Sequence, residues 1–454
     1  MGGTRAAWAV VDLGFGDAGK GLMTDYLVRR TGADVVVRFN GGSQAAHNVI
    51  CPDGRHHTFS QFGSGSFVGG VKTILSRYVA VHPTALLIEG EVLRQKGLAD
   101  IFSRVIVSSE APLITPYHQA AGRLRELARG TDRHGSCGVG FGETVRDGLT
   151  APGDALLAGD LLDRTRLRKK LLGARERLWR DVQSFLPQNH SSRAAARERA
   201  VFERRTILED WMNEAVRLAG LGIVAPESKL AQWMRKASGL VFEGAQGVLL
   251  DECAGFHPFT TWSRCTFDNA AAIASETIPE LPLRRMGVTR AYGVRHGPGP
   301  LPTEDKTLNP AVTEHNRSGV WQGDVRYGWF DAVLMRYALD AAGPMDALAL
   351  THLDTPARMS QWKLAESYAV AGDHHGELVS KRTAGGAICG ITAPDAPTLE
   401  RQSKLTHLLF SAAPNYHPCP ASQESVIQSV EQLLSRKVDV ISRGPTASDV
   451  LWRD

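Results

Sequence analysis

The fold is decided by residues Ala7–Phe39, which read AWAVVDLGFGDAGKGLMTDYLVRRTGADVVVRF. The apolar run Ala7–Leu13 predicts a buried strand, and the glycine-rich turn Gly14–Gly21 follows it. The apolar spacing of Leu22–Arg30 predicts a short helix, and Asp34–Phe39 predicts a second strand. A strand, a turn, a helix and a strand within about 35 residues make a βαβ unit, which implies a parallel sheet.

Further along the chain, Gly239–Leu250, Met345–Leu353 and Val438–Ser442 predict more short strands. Asp160–Leu221 is rich in Arg, Glu, Leu and Ala and predicts two or three helices, with a break near Pro187–Ser192. We therefore expect an α/β fold, with a large, mostly parallel central sheet, a P-loop-like phosphate site and helical insertions. We expect one domain over residues 1–454, with its helical subregion at 160–221.

Composition excludes several classes of protein. The chain has 454 residues, of which 43 % are hydrophobic and 22 % charged, so it is not a disordered, collagenous or disulfide-stapled chain. The formal charge of +4 is too small to predict nucleic-acid binding, and the charged run Arg193–Arg205 is best explained as a solvated helix face. Six cysteines without a CxxC pair predict reduced thiols in the cytoplasm. The N-terminal stretch does not have the pattern expected of a signal peptide, and no apolar run reaches the length expected of a membrane span.

The strongest local motif is Gly14–Gly21 (GFGDAGKG), which fits GxxxxGK between a strand and a helix. Glycines allow backbone N–H groups to approach phosphate oxygens, and Lys20 supplies a point charge. Gly21 stands where a Ser or Thr would hold Mg²⁺, and Asp17 is the only nearby carboxylate that could take that role. A plain glycine turn with a surface lysine is the alternative, and the flanking strand and helix favour phosphate binding.

Three weaker motifs leave alternatives open. Arg38–Asn48 (RFNGGSQAAHN) follows a strand of the predicted parallel sheet, where ligands bind, so His47 is either a general acid or a structural histidine. Gly135–Gly142 (GSCGVGFG) either clamps a phosphate or forms a turn, and Cys137 has no indicated base partner that would make it a nucleophile. The aspartate of Thr351–Asp354 (THLD) either accepts from two donors of a guanine edge or caps a helix.

Taken together, these segments resemble the adenylosuccinate synthetase family. Eight motifs occur in the family's order and cover essentially the whole chain. They are GDAGKGL (Gly16–Leu22), GGSQAAHN (Gly41–Asn48), GSCGVGFGE (Gly135–Glu143), EGAQGVLLDECAGFHPFTTWSR (Glu243–Arg264), RAYGVRHGPGPLPTE (Arg290–Glu304), DVRYGWFDA (Asp324–Ala332), THLD (Thr351–Asp354) and ISRGP (Ile441–Pro445).

The resemblance implies a ligase of purine nucleotide biosynthesis that couples IMP, L-aspartate and GTP with Mg²⁺. GTP phosphorylates the purine O6, and the amine then displaces that phosphate. By matching position, Asp17 removes the N1 proton and joins the Mg²⁺ shell together with the backbone of Ala46. His47 and Lys20 stabilise the transferring phosphoryl group.

The resemblance also implies binding residues and partners. The substrate nucleotide would contact Gln44, Ser136, Cys137, Arg146, Gln246 and Thr261. GTP would contact Gly16, Gly19, Lys20, Gly21, Asn48, Asp354, Ser442 and Gly444, and Arg326 would belong to the amine-binding loop. The implied partners are small-molecule nucleotides and an amino acid, with no nucleic acid and no membrane. The implied assembly is a cytoplasmic homodimer in which an arginine near position 146 reaches across.

The chain departs from the family pattern inside the site. Ala18 replaces a Glu, Asn48 a Thr and His352 a Lys, while Arg326 is the one clear arginine in a run that usually holds several. These departures keep open a pathway-specific sibling that acts on another purine-like nucleotide or amine. One such branch uses dGMP and typically lacks the loop carboxylate, so Asp17 counts against it. A nucleotide-binding relative without catalysis and a generic P-loop kinase are the remaining alternatives.

Overall fold

The computed structural model describes residues 5–186, 192–312, 319–370, 376–394 and 396–453. Its strands are β1 (Ala7–Asp12), β2 (Val35–Arg38), β3 (His47–Ile50), β4 (His56–Phe59), β5 (Lys72–Leu75), β6 (Val105–Ser108), β7 (Val224–Ala225), β8 (Leu240–Glu243), β9 (Leu283–Arg290), β10 (Tyr292–His296), β11 (Val325–Asp331), β12 (Ala347–Thr351), β13 (Gln361–Ala369), β14 (Val379–Arg382), β15 (Ile388–Ile391), β16 (Ala413–Pro420), β17 (Val440–Ser442) and β18 (Val450–Trp452). Its α-helices are α1 (Lys20–Thr31), α2 (Pro83–Gln95), α3 (Pro116–Arg129), α4 (Phe141–Thr150), α5 (Arg164–Phe185), α6 (Arg193–Glu203), α7 (Arg205–Gly220), α8 (Glu227–Lys236), α9 (Asp268–Thr277), α10 (Ala332–Ala342), α11 (Leu399–Ser411) and α12 (Gln423–Leu434).

A ten-stranded sheet forms the centre of the fold, in the order β18-β17-β12-β9-β1-β8-β2-β5-β6-β7. Every neighbouring pair is parallel except β17–β18, so the predicted α/β fold with a large, mostly parallel sheet is confirmed. All six residues of β1 are buried, which is expected for a parallel strand covered on both faces. The predicted strands near residues 34, 240, 347 and 440 correspond to β2, β8, β12 and β17.

The first helix follows directly from its glycines. Gly19 stands at the N-cap with φ 94°, and Gly32 ends the helix with φ 69° while its N–H donates to the Val28 carbonyl. Both conformations lie in the left-handed region that glycine adopts at little cost. The βαβ unit expected from the sequence is therefore β1–α1–β2, with β8 inserted between its two strands.

A second sheet of six strands branches from the central one. Its order is β10-β11-β13-β15-β14, with β16 paired to β13. The chain leaves the central sheet after β9, forms the antiparallel β10–β11 pair and returns through β12. This continuity favours the expectation of a single domain, which stays a prediction.

The predicted helical subregion contains α5, α6 and α7. The expected break near Pro187–Ser192 falls mainly on residues 187–191, outside the described residues. In α6 the residues Ala195, Glu198 and Phe202 face inward, whereas the arginines at both of its ends are exposed, as expected for a solvated face. In the part of the chain that the structure describes, no helix has the length and apolarity to cross a membrane.

Candidate active site

Six strands of the central sheet bring their carboxyl ends to one edge, because β2, β8, β1, β9, β12 and β17 are all parallel. Ligands of open α/β sheets bind at this edge. A cleft of about 860 Å³ opens there. The expected site residues that line it are Gly16, Asp17, Lys20, Gln44, Ala46, His47, Asn48, Ser136, Cys137, Arg146, Gln246 and Thr261.

The phosphate loop between β1 and α1 has an unusual backbone. Gly16, Asp17 and Gly19 all have positive φ, at 97°, 61° and 94°. Asp17 is the costly member, because a non-glycine residue in the left-handed region is strained. Gly247 is pressed against the loop so closely that an added Cβ would lie 2.2 Å from the Gly14 carbonyl oxygen. The loop after β8 therefore supports the phosphate loop directly.

A second carboxylate, besides the Asp17 carboxylate expected to hold Mg²⁺, lies close to this loop. Asp12, the last residue of β1, lies beneath the loop and is fully buried. Its Oδ1 accepts from the Gly14 N–H at 2.7 Å, and its Oδ2 accepts from the Ala18 N–H at 2.7 Å and from Lys20 Nζ at 3.0 Å. Because these contacts are internal to the loop, Asp17 keeps the position facing the cleft.

Asp17 is held at two points by residues far along the chain. His296 Nε2 lies 2.9 Å from Asp17 Oδ2, and Arg290 donates to the Asp17 carbonyl at 3.0 Å. Burial alone would raise the pKa of Asp17, but the hydrogen bond and charge of His296, together with the charges of Lys20 and Arg290, lower it overall. Asp17 is therefore ionised at neutral pH, as a proton acceptor must be.

His47 opens β3 and is oriented by a buried carboxylate. Its Nδ1 lies 2.6 Å from Oε1 of Glu243, the last residue of β8. Burial alone would raise the pKa of Glu243, yet the charges of Arg38 and His47 and hydrogen bonds from His47 and Ser64 lower it to about 2. An ionised Glu243 accepts from Nδ1–H, so Nε2 of His47 is left for a ligand.

The pKa of His47 itself is lowered. Burial is the main cause, the charges of Arg38 and Lys20 add to it, and Glu243 opposes it. The ring is therefore neutral in the resting site. Close packing also fixes its place, because an added Cβ on Gly21 would lie 2.9 Å from His47 Cβ. Asn48, the next residue, accepts from His56 Nε2 and Thr58 Oγ1 through its Oδ1, which leaves its amide nitrogen as a donor.

Two glutamines in the cleft have side-chain amide atoms without hydrogen-bond partners among the described residues. Gln44 Nε2, Gln44 Oε1 and Gln246 Oε1 are buried, and none has a hydrogen-bond partner among the described residues. Buried amide atoms without partners cost about 1–3 kcal/mol each, so they indicate a place where a polar ligand binds. Gln246 also has a positive φ of 57°, a conformation that the packed loop after β8 imposes.

The loop before α4 contributes a glycine turn with Ser136 and Cys137, and α4 itself contributes Arg146. Ser136 Oγ accepts from the Gly138 N–H at 3.3 Å, and burial raises the pKa of the Cys137 thiol, so Cys137 is a neutral contact surface at pH 7. Arg146 lines the cleft and donates to Glu143 at 2.6 Å and also to Asp181. Gly140 opens α4 with φ 90° and without a side-chain cap, so the first backbone N–H groups of the helix have no side-chain acceptor there.

The residues expected to read a guanine base lie beside the cleft rather than in its lining. Asp354 follows β12, and Ser442 ends β17, the strand paired with β12. The Leu353 N–H donates to the Ser442 carbonyl, and Ser442 Oγ donates to the Gly444 carbonyl at 2.7 Å. Asp354 Oδ2 accepts from Arg358 at 2.8 Å. The two segments are therefore neighbours, as a shared base site requires.

Arg326, expected in the amine-binding loop, is already engaged. On β11 it donates to Glu304 at 2.6 Å and to the Gly299 carbonyl at 2.5 Å. Its cross-strand neighbour Arg295 is buried, lies over the Phe15 ring at 4.1 Å and donates to the Pro300 and Phe259 carbonyls. Arg295 lines the cleft, while Arg326 is not part of the lining.

Sequence reasoning assigned no role to Asp12, Glu243 or His296. Asp12 and Glu243 share one signal, since each is an acidic residue that ends an otherwise apolar strand of the parallel sheet. His296 has no such signal, because its partner lies 279 positions away. Only the three-dimensional structure brings it to Asp17.

Comparisons with known proteins identify the family of this chain. The sequence profile of the adenylosuccinate synthetase family matches residues 9–451. Two curated adenylosuccinate synthetases, from Nitrosomonas europaea and Pseudomonas fluorescens, are 30 % and 31 % identical to the chain over 448 and 447 residues. Each alignment covers 97 % of this chain and 97 % of the relative.

Two solved structures share the fold. The fully ligated adenylosuccinate synthetase of Plasmodium falciparum has a TM-score of 0.73 at 18 % identity, covering 98 % of this chain and 99 % of that one. The succinoaminodeoxyadenylate synthetase of cyanophage S-2L, bound to dGMP and dATP, has a TM-score of 0.58 at 16 % identity, covering 99 % and 95 %. The chain therefore belongs to the adenylosuccinate synthetase family, and it is a GTP-dependent ligase of the kind that joins IMP and aspartate through a C–N bond to give adenylosuccinate.

Proposed function

We propose that the ligation proceeds in two steps at the cleft, with Asp17 as the base. Asp17 takes the proton from purine N1, O6 attacks the γ-phosphorus of GTP, and GDP leaves. The amine nitrogen then attacks C6, the C6–O6 bond breaks, and phosphate leaves with a proton from the amine. Phosphorylation is needed because an unactivated 6-oxo group is a poor leaving group.

The observation that supports this proposal most directly is the set of polar side chains that share the cleft with Asp17. Lys20, His47, Gln44 and Gln246 line the same cleft, and three amide atoms of the two glutamines have no hydrogen-bond partner among the described residues. The amides offer donors and acceptors to a purine nucleotide, while Lys20 and His47 offer charge and a hydrogen bond to the transferring phosphoryl group. An anionic phosphate close to His47 would favour protonation of Nε2, with Glu243 stabilising the resulting imidazolium.

Mg²⁺ fits the donors present here. This cation is usually held by one or two carboxylates plus substrate phosphates rather than by an all-protein cage. Asp17 offers one carboxylate and Ala46 lines the same cleft. No cluster of three acidic, His or Cys side chains suited to a metal occurs in the described part of the chain. We assign Asp17 and the Ala46 carbonyl as its ligands, and the ion would neutralise charge on the γ-phosphate.

The remaining residues are assigned to the substrate nucleotide, to GTP or to the amine. Ser136, Cys137, Arg146 and Thr261 bind the substrate nucleotide with the two glutamines, while Gly16, Gly19, Gly21 and Asn48 surround the GTP phosphates. Asp354 accepts from guanine, with Ser442 and Gly444 beside the base. Arg326 binds a carboxylate of the amine after exchanging Glu304 for it. The described cysteines are all unpaired thiols, which supports a cytoplasmic location.

We further propose a homodimer in which Arg146 contributes to the neighbouring site. Its present partners, Glu143 and Asp181, leave it only partly buried. Light scattering coupled to size exclusion would measure the assembly. A monomer at all tested concentrations with full activity would exclude the proposal.

The function is tested by following GDP and phosphate release with a panel of 6-oxopurine nucleotides, each with and without aspartate. We expect release with IMP and GTP that depends on aspartate and yields adenylosuccinate. Turnover with dGMP but not IMP would favour the phage-type sibling instead. Turnover with IMP and another amine, but not aspartate, would keep the nucleotide assignment and replace the amine.

A further inference from the structure

Asp12 is a buried carboxylate that the proposed mechanism does not use. Its side chain has no solvent exposure, and Lys20 is 3 % exposed, so the pair lies entirely inside the protein. All three donors to the carboxylate come from the phosphate loop and the first turn of α1, namely Gly14 N–H, Ala18 N–H and Lys20 Nζ. Asp12 therefore binds the loop from below and connects it to the central strand.

Lys20 depends on this carboxylate. Within the described residues its ammonium donates to no acceptor other than Asp12 Oδ2, although the side chain also lines the cleft. An ammonium group has three N–H donors, so two remain for phosphate oxygens. A buried lysine without a counterion would pay a large desolvation cost, which Asp12 offsets.

The sequence of the loop shows why such a residue is needed. The family motif has an acidic residue where this chain has Ala18, so the loop itself offers Lys20 no carboxylate except Asp17, which faces the cleft. Asp12 supplies the missing negative charge from the end of β1. Asp12 also accepts a hydrogen bond from the Ala18 N–H. This contact stabilises the turn that contains Asp17, the residue with positive φ.

We propose that Asp12 is a positioning residue that sets Lys20 for the GTP phosphates. It touches no substrate and acts through Lys20. This inference rests on the proposed role of Lys20 as a ligand of the GTP phosphates. It predicts that removal of Asp12 impairs the use of GTP while leaving the binding of IMP intact.

The test is a double-mutant cycle with Asp12→Asn and Lys20→Met. The kcat and KM for GTP and the dissociation constant of IMP are measured for the wild type, both single variants and the double variant. We expect Asp12→Asn to lower kcat/KM for GTP by about 10–100-fold, the range that a misplacement near 1 Å produces. In the Lys20→Met background the same substitution should change it by only about threefold or less, because coupled residues are not additive.

The control is Asp25→Asn. Asp25 is another buried carboxylate of the same region, on α1, and its partner is Arg29 at 2.8 Å rather than the loop. It should reproduce any general destabilisation, read as the melting temperature, without the effect on GTP. If Asp12→Asn does not fold, Asp12→Glu keeps the charge and displaces it by one methylene, and the same cycle is measured with that variant.

The outcomes separate the two proposals. If Lys20→Met leaves GTP kinetics unchanged, the role of Lys20 in the proposed function fails. If Lys20→Met impairs the use of GTP but the Asp12 variant has no effect, or has an equal effect in both backgrounds, the positioning role of Asp12 is wrong. A loss of IMP binding equal to the loss for GTP would also overturn it.

Discussion

The phosphate loop and the β10–β11 pair contribute to the same site, but they hold their ionisable side chains differently. In and around the phosphate loop, Lys20 and His47 are paired with Asp12 and Glu243, two carboxylates with no solvent exposure. On β11, Arg326 is paired with Glu304, which is one third exposed. Breaking a buried pair leaves an uncompensated charge and costs several kcal/mol, whereas an exposed pair contributes about 0–1 kcal/mol.

The difference separates geometry that is fixed before substrate arrives from geometry that can change with it. Phosphoryl transfer gains from groups that are already in place, because no reorganisation is then needed during the reaction. Recognition of an amine can tolerate a partner exchange, in which a substrate carboxylate replaces Glu304 on Arg326. Four substitutions test this division. Asp17→Asn and Glu243→Gln change the part of the site with buried ion pairs, and Asp354→Asn and Glu304→Gln change exposed ion pairs.

The largest effect is expected from Asp17→Asn. The amide cannot accept the N1 proton, so turnover should fall by at least about 10²-fold, as is typical for the loss of a general base. Phosphate release with IMP, GTP and aspartate saturating is the measurement. The loop should survive, because its backbone is also held by Asp12 and by the Arg290 contact. Binding of GTP measured in the absence of Mg²⁺ should therefore remain close to that of the wild type.

Activity of Asp17→Asn within about tenfold of the wild type would contradict the assignment of the base. A large loss of GTP affinity would instead show that the loop depends on the Asp17 carboxylate. The contact between Asp17 and His296 would then belong to the geometry that is fixed before substrate arrives.

Glu243→Gln should produce the next largest effect. Without the carboxylate, His47 loses its fixed tautomer, and we expect kcat to fall by about 10–100-fold with little change in KM for GTP. The folded-state pKa of Glu243 is about 2 against an ordinary value of 4.5. Its contribution to the free energy of unfolding is therefore present above pH 4.5 and is lost as the pH falls towards 2.

The variant should accordingly show a shallower loss of stability between pH 4.5 and pH 2 than the wild type, measured by urea unfolding across that range. Glu89→Gln is the matched control, because Glu89 is also buried but accepts from the Ser60 and Gln61 backbone away from His47. An equal loss of kcat in both variants would remove the special role of Glu243.

The same division explains what the sequence could predict. The βαβ unit and the phosphate loop are local, since their strands, glycines and Lys20 lie within one short stretch, and periodicity and glycine spacing were sufficient. The parallel sheet followed from that unit. The family motifs then placed Asp17, His47, Gln44 and Gln246, all of which line one cleft.

The positioning residues could not be predicted, because their partners are distant or ambiguous. His47 and Glu243 are 196 positions apart, and Asp17 and His296 are 279 apart. Asp12 is only eight residues from Lys20, but an acidic residue that ends a strand is equally compatible with a solvated turn. The Arg326–Glu304 pair depends on the register of β10 and β11 and on the turn after β10, which no local pattern specifies.

Asp354→Asn tests an exposed pair on the GTP side. Guanine presents N1–H and N2–H, and an amide replaces one of the two acceptor oxygens with a donor. We expect KM for GTP to rise by about tenfold, near the low end for a hydrogen bond to a charged group, because Asp354 is one third exposed and shared with Arg358. The preference for GTP over ITP, measured as a ratio of kcat/KM values, should shrink. A wild type that already prefers ATP would contradict the guanine-reading role.

The smallest effect is expected from Glu304→Gln. This variant tests directly whether Arg326 exchanges Glu304 for a carboxylate of the substrate. Arg326 would lose a carboxylate partner at 2.6 Å and would be released for the substrate. Because the exposed pair contributes about 0–1 kcal/mol, KM for aspartate should fall by no more than about fivefold, with kcat nearly unchanged.

Arg326→Ala should raise the same KM, since the carboxylate of the amine then loses its proposed partner. The titration follows GDP formation at saturating IMP and GTP while aspartate is varied. If neither variant changes KM for aspartate, the amine is bound elsewhere, and Arg295, the buried arginine that lines the cleft beside Arg326, becomes the residue to test.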